Sequence, residues 1–155
     1  MPISLIYVLA GFASGLRSLT PAAILCWAAF VGWLPVHQNK LAFIAKLPTV
    51  AVLTLLAIAE LIADKLPQTP ARTKPVGFSS RVLTGCMCAV IIAASAGESW
   101  RWAAILGVVG AVLGTFAGYN ARRLLVTAGL RDLVVAVSED AITVILSLLV
   151  ISRFT

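Results

Sequence analysis

The sequence predicts an all-α protein built as a polytopic transmembrane helix bundle, and three observations predict it. The chain of 155 residues is 61% hydrophobic and 12% charged, about half of the ~25% charge usual in a soluble domain. Its mean hydropathy is +1.03. Its apolar residues come in runs that approach the ~20 residues a spanning helix needs. A chain this short has no single core able to hide that much apolar surface, so the solvent it is matched to is the lipid bilayer.

Six candidate segments follow, at residues 2–16, 19–35, 47–66, 81–96, 100–120 and 132–152. They make one integral membrane domain over 1–155, with possible halves 1–66 and 81–155 related by inverted topology, as in many transporters. The first two segments cannot be one helix. Residues 2–35 would run about 50 Å at 1.5 Å per residue, against a hydrocarbon core of about 30 Å. The break lies in Gly15-Leu16-Arg17-Ser18-Leu19-Thr20-Pro21, where Gly15 can end a helix, Thr20 can cap the next and Pro21 suits its first position. The two pieces are short enough to be either a tight hairpin of spans or a re-entrant pair. Met1 to Tyr7 has no positive n-region, so the first run reads as a retained segment and not as a cleavable signal.

The net charge of +6 is topological. If six segments alternate, Arg17 shares a side with Lys65, Arg72, Lys74, Arg81, Arg122, Arg123 and Arg131, and the other side holds Lys40, Lys46, Arg101 and Arg153. The positive-inside rule places the first group in the cytoplasm and both termini outside. No basic stripe with interleaved aromatics points to nucleic acid. Cys26, Cys86 and Cys88 lie within apolar runs and read as small buried hydrophobes, so no disulfide framework, metal or cofactor is expected. The single histidine, His37, falls in a polar loop, and no nucleophile elbow, phosphate loop or zinc-protease motif is present, which argues against an enzyme.

Two kinds of motif stand out. Gly11-x-x-x-Gly15 and Gly110-x-x-x-Gly114-x-x-x-Gly118 make flat stripes on which a second helix can pack closely, within the monomer or in a homo-oligomer. The other motif is charge inside apolar runs. Glu60-x-x-x-Asp64 puts two carboxylates on one helical face, near a C-terminus whose dipole opposes them. Ser138-Glu139-Asp140 lies about seven residues into the last segment, where each acid costs roughly 2.5–3.5 kcal/mol if it faces lipid. Arg17 interrupts an otherwise uncharged stretch. It can serve as a countercharge or, with the free N–H groups at the start of the second helix, as half of an anion cradle. Arg17, Glu60, Asp64, Ser138, Glu139 and Asp140 are therefore the candidate residues for binding a small solute or ion, and all of them but Ser138 are expected to converge in the cytoplasmic half of the bundle.

The three blocks together, Gly15-Leu16-Arg17, Glu60-x-x-x-Asp64-Lys65-x-Pro67 and Ser138-Glu139-Asp140, resemble a family of small bacterial integral membrane proteins known as domain of unknown function 4126. The resemblance covers nearly the whole chain. It implies the membrane fold and the importance of these blocks, and it carries no activity. Arg131-Asp132 stands where the family pattern has Asn-Pro. Two functions follow from the residues. The chain is a transporter or channel for a small solute or ion, or it is a non-catalytic assembly or envelope factor whose buried charges lock helices together.

Overall fold

A computed structural model describes residues 2–36, 41–64 and 75–154. Among them lie six α-helices, one 3-10 turn and no strand. The helices are α1 (Ile3–Leu16), α2 (Leu19–Val31), α3 (Leu47–Ala63), α4 (Pro75–Ala96), α5 (Trp100–Thr127) and α6 (Asp132–Ile151), with the 3-10 turn Ala42–Ala45 before α3. This is an all-α membrane protein. Three helices, α4, α5 and α6, are long and apolar enough to cross a bilayer, and α1, α2 and α3 are shorter apolar helices. Many large hydrophobic side chains stand exposed on the outer faces, among them Leu55, Ile62, Leu83, Ile105, Leu133 and Ile145, as a lipid solvent permits.

The boundaries differ from the sequence expectation in instructive places. α2 stops at Val31, not at residue 35, because Gly32 adopts the left-handed conformation (φ 88°) that closes a helix. α4 starts at Pro75, six residues earlier than expected, since proline is well suited to a first helical turn. α5 runs to Thr127, seven residues past the expected end at 120, and carries Arg122 and Arg123 inside the helix. Ser18, not Thr20, is the residue before the first turn of α2. His37 and the central basic loop 65–74 lie outside the described residues.

The glycines decide how the centre packs. The largest helix–helix contact is between α1 and α5, and α4 joins both. A methyl group built on Gly114 would overlap the Phe12 carbonyl oxygen, and one on Gly110 would overlap that of Val8. Gly11 and Gly15 face Gly107 and the Ala111–Thr115 turn in the same way. Gly118 is buried on α5 as well. Gly11, Gly15, Gly110 and Gly114 are thus spent on one contact inside the monomer, which meets a third helix at Gly85 of α4. Because α1 packs mainly on α5 and α4, the first three helices and the last three interleave at α1.

α1 and α2 form a hairpin. The matched glycines run in the same order along α1 and α5, so the start of α1 lies at the end of the bundle where α5 begins. The C-terminal part of α2 lines a crevice with Leu148 and Ile151 of α6, which lie at that same end because α6 returns antiparallel to α5. The chain therefore enters on α1, turns at Arg17-Ser18 and comes back on α2. At 14 and 13 residues the two arms are about 20 Å long. That is shorter than the ~30 Å hydrocarbon core, so the turn stops partway along α5.

Candidate functional site

The turn between α1 and α2 leaves free carbonyl groups on one helix and free N–H groups on the other, side by side. Each set is met by a group from elsewhere in the chain. The Thr115 hydroxyl lies 3.2 Å from the Gly15 carbonyl oxygen and 2.8 Å from that of Ala111. At the start of α2, the Ser18 N–H donates to one Glu60 carboxylate oxygen at 2.8 Å and the Leu19 N–H to the other at 2.8 Å. The Ser18 hydroxyl also donates to Glu60. A negative group sits where the α2 dipole is positive, and Arg17 sits where the α1 dipole is negative.

Arg17 has 0% exposure. Its Nη1 pairs with Asp64 at the end of α3, and its Nε donates to Oδ1 of Asp140 on α6 at 2.7 Å. Nη2 stands 2.6 Å from the same Asp140 oxygen but at a poor angle, so the Nε contact is the hydrogen bond and Nη2 contributes charge only. One guanidinium thus joins the hairpin tip to two helices remote in sequence. Its fork of donors on a rigid plane suits that task better than an ammonium would. The two partner carboxylates keep 12% and 18% of their side-chain surface exposed, so the cluster is buried at the arginine and open at the acids.

The depth of the cluster follows from the helices. Thr115, level with the tip, lies fifteen residues from the start of α5, about 22 Å along its axis. Asp140 lies eight residues into α6, about 12 Å from its start. Arg17 therefore sits inside the bundle on the side where α5 ends and α6 begins.

The six sequence candidates fare differently. Arg17, Asp64 and Asp140 meet directly, and Glu60 binds one residue further on. Glu139 is buried on α6, and its charge, like that of Asp64, reaches Arg122. Ser138 is not part of the cluster: it faces outward, and its hydroxyl bonds back to the Val135 carbonyl of its own helix at 2.7 Å. Successive helical residues point about 100° apart, so three in a row cannot all face one centre. The anion cradle expected at the start of α2 exists, but Glu60 of the chain itself fills it.

Sequence reasoning missed Arg81. Read as a loop cation, it is a buried residue on the second turn of α4, with Nη2 4.0 Å from Asp64 and Nη1 3.4 Å from the Gly77 carbonyl. Pro75 was the signal, because a helix started there carries Arg81 inward. Beyond the cluster, Tyr119, Arg122, Arg123, Val126, Thr127 and Asp132 line an open cleft of about 290 Å³ between α5 and α6. There Arg122 grips Asp132 with two parallel bonds of 2.7 and 2.6 Å. No group of three or more His, Cys, Asp or Glu placed to hold a metal occurs among the described residues.

The chain belongs to the family described as domain of unknown function DUF4126, whose model matches residues 5–153. It matches no curated protein and no solved structure.

Proposed function

We propose that this protein is a multi-pass transporter or channel for a small solute or ion in the bacterial inner membrane, with the α1–α2 tip as its gate. The observation that carries this reading is a fully buried arginine at the turn of a hairpin too short to cross the bilayer, held by partly exposed carboxylates from two other helices. Broken helices at membrane depth are a recurrent way to build a solute site, since their ends offer oriented N–H and C=O groups, and non-helical backbone is tolerated there where it lines a cavity or is buried in protein. The acids open toward the end of the bundle that carries Arg122 and Arg123, which the positive-inside rule assigns to the cytoplasm. Both termini then face out. Efficient labelling of a cysteine placed at Gln68 by an impermeant reagent outside intact cells would reverse this orientation.

A second reading, a non-catalytic assembly or envelope factor, is favoured by one specific observation. Arg17 is paired on both sides and Glu60 is saturated by the start of α2, as in a closed structural lock. A flux screen of small cations, anions and protons on the purified protein in liposomes separates the two. Transport requires a flux that Glu139→Gln abolishes while the melting temperature holds. A structural lock requires no flux for the wild type, with Glu139→Gln and Arg17→Gln each lowering stability. A homo-oligomer is compatible with either reading, but Gly11, Gly15, Gly110 and Gly114 are already used inside the monomer.

A further inference from the structure

Five of the six acids lie at or beyond the hairpin tip: four are Glu60, Asp64, Glu139 and Asp140, and Asp132 binds Arg122 nearby. Glu98 stands at the opposite end of the bundle, in the turn between α4 and α5, and forms no ion pair among the described residues. It borders a cleft of about 370 Å³ whose other walls are Ile3, Ser4 and Tyr7 of α1 and Ser99, Trp102 and Leu106. Tyr7 is 3% exposed, yet its hydroxyl has no hydrogen-bond partner, and it lies within electrostatic reach of Glu98. A buried phenol normally finds a partner. The cleft therefore combines a free carboxylate, an unanswered hydroxyl and an apolar wall.

We propose that this cleft binds the head group of an amine-bearing phospholipid, with the ammonium on Glu98, the Tyr7 hydroxyl as a second polar contact and the upper acyl chain along Ile3, Trp102 and Leu106. The sign of the charge selects a cation. The apolar wall selects an amphiphile over a free polar amine. The position selects a lipid. Trp100 and Trp102 at the start of α5 and Trp27 and Trp33 near the end of α2 are all exposed at this end of the bundle, and such belts mark the membrane–water interface. Arg101, which rests over the Trp100 ring at 5.7 Å, and the free N–H groups at the start of α5 supply positive charge for the phosphate that accompanies the ammonium. A phosphoethanolamine head carries both charges at the spacing of one short linker.

Native mass spectrometry of the intact protein in detergent, titrated separately with phosphatidylethanolamine, phosphatidylglycerol and dodecylammonium, tests the proposal. Retention of phosphatidylethanolamine should exceed that of phosphatidylglycerol by about tenfold, the worth of one charge-assisted contact. Glu98→Gln should erase that preference, and Tyr7→Phe should weaken it by a few-fold. Both side chains lie outside the Arg17 cluster, so melting temperatures should stay at the wild-type value and confirm folded protein. Equal retention of the two lipids, or a preference that survives Glu98→Gln, overturns the proposal. Binding of dodecylammonium without phosphatidylethanolamine also overturns it, by showing a site for free amines. A Glu98→Gln variant that fails to fold is replaced by Glu98→Lys, which should invert the preference toward phosphatidylglycerol; an unchanged preference there refutes the site.

Discussion

Gly114→Ala adds one methyl group at a close approach of α1 and α5, and the structure gives its consequence. The new Cβ would overlap the Phe12 carbonyl oxygen and stand 3.0 Å from both the Phe12 carbonyl carbon and Cα. Carbon atoms rest about 3.5–4.0 Å apart, so the helices must separate by at least half an ångström to one ångström. The obstacle is backbone on a helix, and no rotamer change relieves it. Separation also lengthens the neighbouring 3.2 Å contact from the Thr115 hydroxyl to the Gly15 carbonyl oxygen. Overpacking of this kind costs about 1–3 kcal/mol. For a chain of this size that corresponds to a melting temperature lower by roughly 2–12 °C, and Gly114→Leu should be worse. Thermal unfolding in one detergent, followed by size-exclusion elution, measures the effect. Ala117→Leu, on an exposed face of the same helix, is the control and should change little. A Gly114→Ala melting temperature within a degree of wild type, or an Ala117→Leu loss as large, would refute the packing argument.

Three further outcomes are expected. Glu60→Ala removes the carboxylate that binds the Ser18 and Leu19 N–H groups and should cost about 1–2 kcal/mol, as for loss of a helix cap; faster hydrogen exchange should be confined to the start of α2. Asp132→Asn breaks an exposed ion pair with Arg122 and should cost under about 1 kcal/mol, a difference that fades in high salt. Arg17→Leu leaves the Asp64 and Asp140 carboxylates without their shared buried cation and should cost about 3–5 kcal/mol, read as poor folded yield or a large drop in melting temperature. A mild result there would mean that water already reaches the cluster.

Composition alone determined the solvent of this protein. Charge at half the soluble level and long apolar runs leave no other medium, and the turn residues from Gly15 to Pro21 require that the first run break. The glycine spacing announced a close helix contact, but only tertiary structure chose the partner: α1 against α5 inside one chain, since spacing specifies a flat surface and not what lies on it. The charged candidates divide in the same way. Lipid cannot hold a bare arginine or carboxylate cheaply, so Arg17, Asp64 and Asp140 had to find partners, and that necessity is written in the sequence. Which acid met which donor was decided by helix phase and depth. Phase turned Ser138 outward while Asp140 reached Arg17, and depth set Glu60 against the start of α2. Arg81 remained hidden because its burial depends on where α4 begins, and a proline beside a polar loop reads equally as a turn until the helix it opens is packed against its neighbours.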